Sequence, residues 1–199
     1  MRAFTAHLRR KYIITQDDGT RFNGITLKWN YIDRECELSL PGYNKKALIR
    51  FNHPLPLIPQ HSPYPWSPPK YGQRIQYAAP SLLPSALKLP PKQLQRLQEI
   101  VGTFRFCADS VDSAMQMPVS SLLTDVSPQE LDRRTNHFLD CVATHPDATL
   151  KFHASDMVLW AHSDASYLSE PKARSRAGGF YYLSSKQHTP SHSTNQLLH

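Results

Sequence analysis

The chain has 199 residues, 40% apolar and 10% aromatic, so it is long enough for one ordinary domain and can form a core. Its net charge of +7 favours a polyanionic partner such as nucleic acid, and its aromatic content argues against wholesale disorder. Its longest apolar run in the second half, Met157 to Ala161, is far too short to cross a membrane, and no secretory signal follows Met1. The three cysteines are odd in number and widely spaced, so we expect reduced thiols in an intracellular protein: Cys36, Cys107 and Cys141.

The first forty residues predict a short helix and a β-hairpin. Phe4, Leu8 and Tyr12 recur at helical spacing. Phe22 to Tyr31 then has the composition of a strand, and Glu35 to Leu40 is its predicted hairpin partner.

A short amphipathic helix is predicted after Pro41-Gly42. Its apolar side comprises Tyr43, Ala47, Leu48 and Phe51. Its opposite side is basic, with Lys45, Lys46 and Arg50.

Proline dominates the middle of the chain, where eleven of the 17 prolines fall between Pro54 and Pro91. Because proline fixes φ and removes a backbone donor, we expect an extended connector that divides the chain into two structured halves.

Three helices and three strands are predicted after the connector. The first helix begins at Pro90-Pro91, and Pro118 should interrupt or restart the next near Val119 to Leu123. The third opens at the capping box of Ser127 to Glu130 and stops before Pro146. The strand-like runs are Thr149 to His153, Met157 to Ser163 and Gly179 to Ser184. Residues 186–199 have no apolar periodicity and are expected to be disordered, and the whole layout predicts an α+β fold.

Four runs, in order, resemble parts of one family. They are Phe22 to Lys28; Leu38 to Tyr43 with Ala47-Leu48 and Arg50-Phe51; Ile100 to Ala108; and Ser163 to Tyr167 followed by Ala173 to Phe180. Together they resemble the reverse transcriptase and RNase H polyprotein of copia-type LTR retrotransposons. The resemblance implies a palm-end remnant at 1–40, a thumb helix at 41–53, the connector at 54–91 and a helical connection at 92–147. It further implies the first RNase H strands at 148–185 and a divergent tail at 186–199.

The resemblance makes Asp164 the first metal-binding carboxylate of an RNase H active site. Hydrolysis with two Mg²⁺ ions needs about four convergent carboxylates. No Asp or Glu follows Glu170, and Glu170 itself is expected in an exposed loop. We therefore expect a vestigial Asp164, an incomplete site that does not hold Mg²⁺ stably, and no nuclease activity from the isolated chain.

Two basic clusters are predicted to contact an RNA/DNA hybrid or duplex without sequence preference. The first is the basic side of the thumb helix. The second is a hairpin loop beside Asp164 that carries Lys172, Arg174 and Arg176. Three connector aromatics can stack on bases or pin the connector against the thumb: Tyr64, Trp66 and Tyr71.

The sequence contains two other candidate metal sites. Asp17-Asp18 is the one Asp-Asp pair, as polymerase chemistry requires, but Thr15 stands where the family has a tyrosine, which favours an ordinary acidic turn. His137, Cys141 and His145 share one helix face, but the outer two are about 12 Å apart at the helical rise, too far for one zinc ion.

Three functions remain open on the sequence. The leading one is a non-catalytic fragment of a retroelement enzyme that binds nucleic acid weakly. The second is a segment of a larger reverse transcriptase that needs the remaining segments for activity. The third is a host-adopted interaction protein.

Overall fold

The computed structural model describes residues 2–14, 18–65, 89–122, 127–170 and 174–186. Its helices are α1 (Arg2–Arg9), α2 (Tyr43–Arg50), α3 (Pro91–Ser110), α4 (Gln116–Ser121) and α5 (Pro128–Thr144), with a 3₁₀ turn at Ser113–Met115. Its strands are β1 (Arg21–Phe22), β2 (Ile25–Asn30), β3 (Glu35–Ser39), β4 (Thr149–His153), β5 (Val158–Glu170) and β6 (Arg174–Ser184). Helices thus accompany two antiparallel sheets, which confirms the mixed α and β composition. Across these ranges no helix is both long and apolar enough for a membrane span.

The first sheet contains a turn that the sequence prediction missed. Phe22 to Tyr31 was predicted as one strand, but Asn23 and Gly24 form a tight turn between β1 and β2, with φ of 49° and 84°. Positive φ at both central residues is the geometry that Asn-Gly favours in two-residue hairpins. The predicted pairing of the next two strands is confirmed, with Trp29 opposite Cys36.

The fourth strand of this sheet comes from beyond the connector. β4 pairs antiparallel with β3, so Leu38 lies opposite Leu150 and Ser39 opposite Thr149. The sequence predicts residues 148–153 in one segment with the strands that follow them, so it does not predict the pairing of β4 with β3. The two halves of the chain therefore share one sheet.

The core also draws on both halves. α2 packs against α3 and α5, where Phe104 of α3 meets Phe51 and Phe138. Tyr43 of α2 donates to the Thr103 carbonyl at 2.8 Å, and Asn44 donates to the Pro146 carbonyl at 3.0 Å. These contacts fix the buried side of α2, so its basic side faces outward.

The helix boundaries follow their capping signals. Ser127 accepts from the Glu130 amide at 3.3 Å at the start of α5, which confirms the predicted cap, and α5 ends at Thr144, before Pro146. The expected restart near Val119 is too late, because α4 begins at Gln116 and Pro118 lies in its first turn, where the missing donor is tolerated.

The second sheet is the hairpin of β5 and β6, longer in both strands than predicted. Its register places Asp164 opposite Gly178 and Glu170 opposite Arg174. Residues 54–65 of the connector contain no helix or strand, as expected, while the rest of the connector up to residue 88 and the tail from residue 187 lie outside the described residues.

Candidate nucleic-acid interface

The basic side of α2 is the better-defined of the two predicted clusters. Gly42 enters the helix with φ of 69°, a left-handed conformation that glycine adopts without strain. The next two turns bury Ala47 and Leu48 and leave Lys45, Lys46 and Arg50 exposed. The amphipathic pattern therefore presents three cations on one face of a helix anchored in the core.

Two of these cations carry acidic partners. Lys45 Nζ lies 2.8 Å from Asp147, and Arg50 lies 3.3 Å from Glu99. All four side chains are at least 40% exposed, and exposed ion pairs contribute only about 0–1 kcal/mol. A phosphate can displace such partners at low cost, so the ion pairs do not prevent the face from binding a backbone.

Asp164 lies in the middle of β5 and is exposed. Its carboxylate accepts a hydrogen bond at 2.8 Å from the backbone amide of Ala165. The strand alternation places His162 on the same face, where its Nε2 is 3.1 Å from the Tyr182 hydroxyl. Arg176 is a diagonal neighbour of Asp164 on that face, since it pairs with Ser166.

The donor set around Asp164 does not fit the two Mg²⁺ ions that the family resemblance implies. Glu170 is six residues further along the strand, about 20 Å at the strand rise. It was expected in a loop, but it ends β5 opposite Arg174. In the described ranges, no three His, Cys, Asp or Glu side chains come together to hold a metal. One exposed carboxylate supplies too few ligands to hold two metal ions, so these residues do not support two-metal hydrolysis.

The second basic cluster is not the loop that the sequence predicted. Arg174 and Arg176 belong to β6 because the strand is longer than expected, and Lys172 lies outside the described residues. Ser166 donates through its side-chain hydroxyl to the backbone carbonyl of Arg176 at 3.3 Å, a contact that does not involve the guanidinium. This cluster therefore supports a phosphate contact less directly than α2 does.

The three zinc candidates on α5 have separate environments. His137 Nε2 is 2.9 Å from the Ser62 carbonyl, whereas His145 meets the ring of His61. Cys141 is buried, and burial together with the negative charge of Asp112 raises the pKa of its thiol to about 11. The structure thus gives the three side chains different partners and keeps the thiol protonated at neutral pH.

Of the remaining candidate residues, the structure describes Asp18 and Tyr64. Asp18 accepts from both the amide and the hydroxyl of Thr20, as an acidic turn would, while Asp17 lies outside the described residues. Tyr64 lies under the Arg134 guanidinium at 5.6 Å, so it packs against α5. Trp66 and Tyr71 lie outside the described residues.

One exposed aromatic pair is not among the residues predicted from the sequence. Trp29 and Tyr31 have nearly parallel rings, 6.2 Å apart and inclined by 12°, and Tyr31 is 81% exposed. Their spacing of two residues was a signal that both share one face at the end of β2. Such rings can stack on unpaired bases.

Comparison with protein families, with curated proteins and with solved structures finds no match to this chain. The resemblance to copia-type polyproteins therefore stays a prediction that depends on the four sequence runs.

Proposed function

We propose that this chain is a non-catalytic, nucleic-acid-binding remnant of a retrotransposon reverse transcriptase and RNase H. The proposal of nucleic-acid binding depends on the exposed basic face of α2, formed by Lys45, Lys46 and Arg50. Its ligand is the phosphate backbone of an RNA/DNA hybrid or duplex. Binding through phosphates is independent of base sequence and weakens steeply with salt.

The donor chemistry at Asp164 supports the non-catalytic half. A single exposed carboxylate next to Arg176 can meet a phosphate only through the arginine, since the carboxylate itself repels an anion. The metal pair that would reverse this repulsion needs further carboxylates close to Asp164, and the described residues of this hairpin do not bring such a group together.

Binding is tested by fluorescence anisotropy with hybrids and duplexes of unrelated sequence. We expect equal affinities for each sequence, and a loss of binding when Lys45, Lys46 and Arg50 are all replaced by Gln. The matched control removes three scattered cations that also have acidic partners: Lys28, Arg105 and Arg133. Equal losses of affinity in the two triple variants would show that binding depends on net charge alone. They would contradict the assignment of the binding face to α2.

Catalysis is tested with the same hybrid in the presence of Mg²⁺, by primer extension and by strand cleavage. We expect no turnover from the purified chain. Turnover that disappears in Asp164→Asn would overturn the non-catalytic half of the proposal.

A second candidate, the interaction protein, is favoured by the surface of the β5 and β6 hairpin. Leu159 and Leu183 are opposite each other, and Tyr181 lies on the same face, all at least 40% exposed. Exposed apolar side chains on a two-stranded sheet are typical of a surface that another chain covers. Size-exclusion chromatography with light scattering tests whether a second copy of this chain covers the surface: self-association that Leu159→Lys abolishes supports the second candidate.

A further inference from the structure

A short piece of the connector lies along α5 and is held by polar contacts. This piece, residues 60–64, is called the strap below. The Gln60 amide donates to Thr144 Oγ1 at 3.0 Å, and the Ser62 carbonyl meets His137 Nε2 at 2.9 Å. The strap therefore runs antiparallel to the second half of the helix, and its position depends on a few side chains.

Two histidines form the contact at the end of α5. His61 Nδ1 of the strap lies 3.0 Å from His145 Nε2, and the ring centroids are 5.1 Å apart. Two imidazole nitrogens that bind one zinc ion at about 2.0–2.1 Å and a tetrahedral angle are about 3.3–3.4 Å apart. The observed separation is within a few tenths of an ångström of that value, so a small rotation of either ring would admit an ion.

The surroundings of the pair suit a cation. His145 caps the C-terminal end of α5, and the partial negative charge of a helix C-terminus stabilises cations. Asp112 and Asp147 line the adjacent cavity of about 350 Å³, which also contacts both histidines. Both histidine side chains are exposed, so an ion can reach them without opening the core.

We propose that His61 and His145 form a binding site for a divalent transition-metal ion, Zn²⁺ in the first instance, which fastens the strap to the end of α5. Imidazole is a preferred ligand of zinc. No third His, Cys, Asp or Glu joins the pair within the described ranges. Asp147 instead lies 2.8 Å from Lys45. Water completes the coordination, and binding is correspondingly weaker than at a closed structural site.

The site differs from the zinc candidate on the sequence, which combines His145 with His137 and Cys141 of its own helix. The structure gives His145 a partner from a distant segment. The pairing of residues 61 and 145, 84 positions apart, has no signature in local spacing.

Isothermal titration of the full chain with zinc chloride at neutral pH tests the proposal. We expect one ion per chain, and roughly a tenfold or larger loss of affinity in His61→Ala and in His145→Ala. His162→Ala is the matched control, because this exposed histidine lies on β5 and contacts Tyr182. Zinc binding that is absent from the native chain, or equal in all three variants, overturns the proposal.

Two further measurements on the native chain do not depend on how the variants fold. Zinc should shift the ring proton resonances of two of the 10 histidines in NMR spectra, and a shift of none or of a different pair contradicts the site. Cobalt should bind with a spectrum that lacks the near-ultraviolet thiolate band, and a strong band would show a cysteine ligand and contradict the two-histidine site. Both readouts are independent of nucleic-acid binding, so this proposal and the proposed function fail separately.

Discussion

Phe104→Ala tests the conclusion that both halves of the chain share one core. Phe104 is completely buried, edge-on to Phe138 at 5.3 Å and tilted against Phe51 at 6.3 Å. Truncating a buried phenylalanine costs about 3–5 kcal/mol, out of a typical total of about 5–15 kcal/mol for a domain. With a urea dependence of about 2 kcal/mol per molar, a loss of about 4 kcal/mol lowers the unfolding midpoint by about 2 M.

The assay is urea unfolding followed by circular dichroism, which reports the helices, and by tryptophan fluorescence, which reports Trp29 and the other indoles. The matched control is Phe106→Ala on the same helix, because Phe106 is 38% exposed and its main ring contact is Tyr43 at 5.6 Å. We expect a loss of about 1 kcal/mol there. Equal losses in the two variants, or separate transitions for the two probes in the native chain, would refute a shared core.

Two more substitutions test local features. Gly24→Ala should lower the free energy of unfolding by about 1–2 kcal/mol because Gly24 has φ of 84°. Gly102→Ala, within α3 and equally free of contacts, should raise it by about 0.5–1 kcal/mol in the same urea assay. Losses of stability in both variants would contradict this explanation from backbone conformation. Glu130→Gln tests an ion pair: hydrogen bonds from Arg133, with help from Arg134, lower the pKa of Glu130 from 4.5 to about 2. A depressed carboxyl pKa stabilises the fold above the unfolded value and ceases to do so as pH falls through the folded value. At pH 7 the melting temperatures of the native and variant chains should therefore differ by the equivalent of about 1 kcal/mol, a value already reduced for solvent screening. The two melting temperatures should converge as pH falls from about 4.5 towards 2. A difference that does not change with pH would contradict the role of the Glu130 ion pair.

Local patterns predicted a helix well where it has its own start and stop signals, as α5 does and α4 does not. Ser127 and Pro128 mark the start of α5, and Pro146 follows its end, so the interval is readable without tertiary information. The basic and apolar sides of α2 likewise follow from the helical period, and the structure confirms them.

Long-range pairing was not predictable in the same way. The strand run at 149–153 has no local feature that selects β3 over β5 as its partner, since either edge would satisfy its backbone groups. The Asn23-Gly24 turn, by contrast, carried a readable signal that the prediction did not use. The contact of His61 with His145 was not predictable for two reasons. It depends on long-range packing, and His61 lies in a proline-rich segment that has no periodicity.

The central claim is that the basic face of α2 binds the phosphate backbone, and the salt dependence of affinity tests it most directly. Each phosphate contact contributes about 0.9 to the slope of log affinity against log salt on B-form DNA. Replacing Lys45, Lys46 and Arg50 by Gln should therefore reduce the magnitude of that slope by up to about 2.7 on a DNA duplex, while the scattered variant at Lys28, Arg105 and Arg133 keeps the native slope. A native slope in the α2 variant, or an equal reduction in both, would contradict the account.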